Sequence, residues 1–346
     1  HGEPRDSRLV ARYRLTNPGG KARDYTLALA LRPFQVNPPS QFLNTRGGVS
    51  PIRALAIDGG TVSVDGRARV FAKQLPNAAF ASSFDGGMAA SHLAAGTRPA
   101  GASVVDPQGL ASGALLYRMR LAPWESRTID VMVPMTGTGA LARRWWDAAT
   151  LQDEVAGMWR ERLDRVVLTV PPQGQALADT LRTSLAHMLI SRIGPRLQPG
   201  TRSYARSWIR DGAMISEGLL RLGRADAVRD YLEWYAPFQF DDGKVPCCVD
   251  DRGSDPVPEN DSHGELIFNI AEYWRYTGDD AFLQRMWPHV LAAWEYMESL
   301  ALSERTGANR ALDPAFFGMM PASISHEGYS AKPMHSYWDN FWALRG

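Results

Sequence analysis

The sequence lacks what would tie it to a membrane, a nucleic acid or a disulfide scaffold. Its longest apolar stretches are interrupted by Arg, Asp or Gly well before the roughly 18 residues that a spanning helix needs, so no membrane span is expected. No charge of one sign dominates: 38 Lys and Arg face 37 Asp and Glu, a net charge of +1, which offers no basic face to a nucleic acid. Cysteine is scarce. The only two, Cys247 and Cys248, are adjacent in GKVPCCVDD, and neighbouring cysteines close a disulfide only through a strained ring. They are expected as buried loop thiols, a redox vicinal bridge being the alternative. No C-x-x-C spacing points to a metal, and neither metal nor cofactor is expected. The chain also lacks an initial Met. Its first residues already read as strand, so the natural N-terminus and any signal peptide are expected to be missing, and the compartment is unreadable. Nothing indicates the oligomeric state.

What is present is an ordinary globular composition, 45% hydrophobic and 22% charged, over 346 residues, a length that suggests two domains. The first, 1–138, is expected to be an antiparallel β-sandwich. RLVARYRLTN and YTLALALRPF are short β-rich runs, and TVSVDGRARVFA holds Asp65-Gly66 between two more, a two-residue hairpin signal. GALLYRMRLAP and SRTIDVMVPM suggest a further antiparallel pair, and NPGG, NPPS and FDGGM supply turns. Over 139–172 the period changes to a helical linker followed by an extended piece, RVVLTVPP. From 173 the chain reads as helices at 174–193, 210–223, 225–236, 263–277 and 280–300, with another starting near 336. In 280–300, Leu283, Trp287, Val290, Leu291 and Trp294 suggest one wide apolar face. The connections 237–262 and 301–335 are long, and long loops on a helical scaffold usually carry function.

Three stretches concentrate reactive side chains. SWIRDGAM places Trp208, Arg210 and Asp211 at a helix mouth. Asp211 there complements the helix dipole, and Arg210 can pair with it or with solvent. An aromatic platform beside charged bidentate partners is also what a pyranose site requires. In VPENDSHGEL, Ser262 and Glu265 fit a capping box, whereas Glu259, Asn260 and Asp261 exceed what capping needs. His263 is a cap neighbour or a base. In MHSYWDNFW, Asp339 stands among Trp338, Phe341 and Trp342. It is either an N-cap or a carboxyl whose desolvation raises its pKa and suits it to act as a general acid. His326 and Glu327, in the preceding loop, either line the pocket or satisfy loop backbone groups.

With these motifs, residues 165–346 resemble the six-hairpin glycosidases, the (α/α)6-toroid superfamily of glucoamylases, amylo-1,6-glucosidases, trehalases and processing α-glucosidases. Trp208, Arg210 and Asp211 match a W-x-R-D that holds the sugar at the cleavage point. ENDSHGEL is similar to an N-D-G element, placing Asp261 on the same sugar. YWDNFW is similar to the element carrying the acid in trehalases and processing glucosidases, whereas glucoamylases proper use a Glu in W-E-E. The resemblance implies a sandwich followed by the first half of a toroid over 173–346, truncated at both ends, with the base beyond Gly346. It also implies hydrolysis with inversion of an α-linked glucoside or oligosaccharide, Asp339 as acid, and a substrate set of Trp208, Arg210, Asp211, Glu259, Asp261, His263 and Trp338. The partner is then a carbohydrate. A disaccharide phosphorylase or a non-catalytic carbohydrate-binding protein on the same fold are the alternatives; a polysaccharide lyase fits poorly with near-neutral charge.

Overall fold

A computed structural model describes residues 7–37, 48–135, 146–201, 204–325 and 330–346. His326 and Glu327 lie outside these, as does the start of the expected linker helix. The chain divides into two compact units, whose described parts are 7–37, 48–135 and 146–158 in the first and the residues from 159 onward in the second. No described helix is long and apolar enough to cross a membrane.

The first unit is antiparallel β. A six-stranded sheet has the order β1 (Arg8–Thr16), β11 (Ser126–Pro134), β7 (Arg67–Ala72), β6 (Thr61–Val64), β5 (Ala54–Asp58), β9 (Ser103–Val105). A three-stranded sheet has the order β2 (Arg23–Leu31), β10 (Ser112–Leu121), β8 (Ala78–Ser82), and β3 (Phe34–Asn37) pairs with β4 (Gly48–Ser50). Leu55, Ile57, Val62, Ile129 and Val131 of the large sheet meet Ala81, Leu115, Tyr117, Met119 and Leu121 of the small one in a single core. The alternation in β10 explains this: its odd-numbered residues face that core, while Ala114 and Leu116 face outward and are covered by α1 (Ala89–Ala95). Asp65 and Gly66, both at positive φ, form the expected hairpin between β6 and β7.

The expected pairing of GALLYRMRLAP with SRTIDVMVPM does not occur. β10 pairs with β2 and β8, β11 with β1 and β7, so the connection crosses from one sheet to the other. Buried Asn17 makes the crossing possible: its Nδ2 donates to the carbonyls of Lys21, Leu121 and Ala122, and its backbone pairs with Trp124 and Glu125. Two good strands separated by a short turn read as a hairpin, and only a buried polar pivot distinguishes this corner from one.

The second unit is mostly helical. α2 (Ala148–Leu163) crosses the boundary in sequence and is followed by α3 (Gln175–Ser191), α4 (Ile209–Arg221), α5 (Ala225–Tyr235), α6 (Ser262–Thr277), α7 (Asp280–Ser303), α8 (Gly307–Leu312) and α9 (Tyr337–Arg345). RVVLTVPP forms no strand. The long connections carry structure of their own: β13 (Cys248–Asp250) joins β12 (Ser207–Trp208) to β14 (Gly253–Ser254), and α8 sits in the second connection. α7 buries Phe282, Met286, Ala293, Met297 and Ala301, whereas Trp287, Leu291 and Trp294 are exposed, so its inward face is rotated from the expected one. Two glycines set helix spacing. A Cβ on Gly212 of α4 would strike the Tyr231 ring of α5, and one on Gly264 of α6 would strike the Trp342 carbonyl of α9.

Candidate active site

The first turn of α6 packs at Gly264 against the C-terminal half of α9. Asp261 precedes α6 but does not cap it. Its Oδ2 accepts instead from Arg210 Nη1 and from Trp338 Nε1, each at 2.8 Å, and so ties together the first turns of α4 and α9. Glu259 lies 3.4 Å from the same Arg210 nitrogen. The loop before α9 closes the arrangement: Ile324 N donates to the Pro258 carbonyl, Asn260 Nδ2 to that of Pro321, and Met320 N to Asn340 Oδ1. Ser336 caps α9 by accepting from Trp338 N, which leaves Asp339 in the first turn free of capping duty. Its Oδ2 accepts from Ser323 Oγ at 2.5 Å.

The result is a pocket of about 300 Å³ lined by Arg210, Glu259, Asp261, Ser325, Trp338 and Asp339, with Ile324 and Ser336. One guanidinium faces three carboxyl groups. Asp339 is 3% exposed, and burial, helped by the charges of Asp261 and Glu259, pushes its carboxyl up to about 6 against the opposing pull of Ser323 and Arg210. Arg210 is held cationic by Asp261 and Glu259 in spite of its own burial. A buried carboxyl that titrates near neutrality beside a fixed cation is able to give up a proton.

All three sequence stretches therefore reach one pocket, but not with every residue expected. Arg210, Glu259, Asp261, Trp338 and Asp339 line it. Trp208 does not: its indole is buried against Cys247, Cys248 and Val257, beneath the Arg206 guanidinium. Asp211 is half-buried in the first turn of α4 and is not among the lining residues. His263 is fully buried, accepts from Val245 N at Nδ1 and packs on Tyr296. Desolvation drops its pKa to about 3, so it is neutral and is a core histidine here. The capping box also fails. Glu265 is fully buried beside Asp261 and does not turn back to the cap. Burial, together with Asp261, raises its carboxyl well above the usual range. Ser323 and Ser325 escaped sequence reasoning because a serine in a Gly- and Pro-rich loop carries no distinguishing signal.

No protein-family model and no curated protein matches the sequence. Solved structures do. The chain is similar to a bacterial glucoamylase in complex with acarbose (10% identity, TM-score 0.49, 98% of this chain, 57% of the other). It is also similar to a protein described as a kojibiose phosphorylase from the human microbiome (11%, 0.42, 84% and 42%). A third is a rhamnosidase from Klebsiella oxytoca with rhamnose bound (14%, 0.30, 94% and 60%). The chain thus spans between 42% and 60% of the length of these solved chains. At TM-scores of 0.49 and below, the likenesses decide neither substrate nor chemistry.

Proposed function

We propose that this chain belongs with the six-hairpin glycosidases and supplies the sugar-holding, proton-donating side of a glycoside hydrolase acting on an α-linked glucoside or oligosaccharide. One observation carries the reading: a buried Asp339 carboxyl titrating near 6 lines the same pocket as the Arg210, Asp261 and Glu259 cluster and the Trp338 indole. The volume of about 300 Å³ is at the small end of ligand pockets and suits a ring of sugar size.

In the proposed reaction Asp339, protonated at mildly acidic pH, gives its proton to the leaving glycosidic oxygen. Ser323 fixes the rotamer by donating to Oδ2. Asp261 holds Arg210 and Trp338, so that the remaining guanidinium donors meet sugar hydroxyls and the indole offers its apolar face. Inversion requires a base about 6.5–9.5 Å from the acid. Asp261 and Glu259 are poor candidates, because Arg210 engages both carboxylates.

In the full-length enzyme, Asp339→Asn is expected to lower turnover of unactivated glycosides by about 10²–10⁴-fold while calorimetric sugar binding changes little. Unchanged turnover removes Asp339 from the role. Turnover that requires inorganic phosphate would reassign the reaction to a phosphorylase.

A further inference from the structure

The two cysteines form a second cluster, behind the wall that carries Arg210. In a regular strand, successive side chains point to opposite faces. Cys247 stands just before β13 and Cys248 opens it, yet their sulfurs lie 3.4 Å apart on one side, both buried and unbridged. The turn after β13 returns Asp255 to the same place: its Oδ2 accepts from the Cys248 thiol at 3.8 Å, and all three potential ligand atoms lie within 4.8 Å of one another. No other group of three such side chains with this spacing is found among the described residues.

We propose that Cys247, Cys248 and Asp255 form a binding site for a thiophilic divalent cation of the zinc class. Two sulfurs bound tetrahedrally at about 2.3 Å stand about 3.8 Å apart, so the observed pair needs to open only slightly. Thiolate donors select a borderline or soft ion and reject magnesium and calcium. Charge also balances. Two thiolates and one carboxylate around a divalent ion carry one net negative charge, and Arg206, whose Nη2 donates to Asp255 at 2.8 Å, cancels it. Binding exchanges two thiol protons for the ion, so this buried site changes no net charge. Entry is from the Asp255 side, where that side chain is 17% exposed. Three protein ligands leave the fourth position to water. The ion would tie the start of β13 to the segment that follows β14, and β13 pairs with β12, which ends at Trp208, two residues before Arg210. C-x-x-C spacing is absent, and only the fold brings Asp255 into the set.

The test is titration of the reduced chain with Cd²⁺. The expected result is an ultraviolet thiolate-to-cadmium charge-transfer band saturating at one ion per chain, with both thiols shielded from an aromatic disulfide reagent until a chelator is added. Zn²⁺ should displace the band. Cys247→Ser and Cys248→Ser are each expected to weaken binding by about 100-fold or more, beyond the roughly 10–100-fold that loss of a mere outer-shell partner costs, and Asp255→Asn, which keeps one oxygen donor, by about 10-fold. A reduced wild-type chain with no saturating band overturns the site, whether or not the serine variants fold. So does a band that survives in the double serine variant, or thiols that label equally fast with and without the ion.

Discussion

Buried polar side chains are treated differently in the sandwich and in the helical unit. In the sandwich, Asn17 makes three donor bonds and accepts two more, Asp106 takes the amides of Phe84 and Gln108, and Asp130 takes both arms of Arg12. In the helical unit, both amide atoms of Asn269 and His263 Nε2 have no hydrogen-bond partner among the described residues. Each such atom costs roughly 1–3 kcal/mol. The first unit uses polarity to hold corners. The second tolerates under-satisfied polarity on α6, the helix whose entrance carries Asp261, and natural proteins keep such groups mainly where function uses them.

The contrast is open to three stability measurements. The largest expected effect is in the sandwich. Asn17→Ala strands three carbonyls at the crossing and should cost about 3–5 kcal/mol by denaturant unfolding, leaving ligand binding by the folded protein unchanged. A loss below about 1 kcal/mol would show the corner to be dispensable.

In the helical unit the sign reverses. Between the ordinary carboxyl value of 3.8 and about 6, the folded chain keeps a proton on Asp339 that the unfolded chain has released, so the folded state loses stability as pH rises through that window. Asp339→Asn, neutral throughout, should gain on the wild type by up to about 3 kcal/mol above pH 7 and by nothing below about pH 4. The groups facing it are Arg210, Glu259 and Asp261, so a flat difference across pH would mean that they fully compensate its charge.

The smallest effect is expected at Glu265, whose carboxyl burial raises well above the usual range. While the buried carboxyl keeps its proton, Glu265→Gln should change stability by less than about 1 kcal/mol, and it should become the more stable form as pH rises and the wild type ionises. A large loss at pH 7 would mean that the carboxylate is charged and paired.

Much of this is legible in the sequence. Helix periodicity located α3 to α7 to within three residues, and Asp65-Gly66 marked its hairpin, because these signals are local. Arg210, Asp261 and Asp339 stood out because charged groups beside aromatics at helix mouths are chemically unusual. What the residues did not disclose is relational. Trp208 reads as a sugar platform until β13 covers it, Glu265 reads as a cap until α6 is buried all round, and the inward face of α7 depends on which neighbour it meets.

The crossing at Asn17 bears on the order in which the molecule can assemble. β1 is joined to β11 by Arg12 and Asp130, 118 residues apart, and β2 waits equally for β10. On a ribosome, the first strands emerge long before their partners, leaving apolar residues such as Val10 and Leu15 without a core to join. Much of the helical unit packs helices adjacent in sequence, such as α4 with α5 and α6 with α7, so the slower stage of folding is expected in the sandwich.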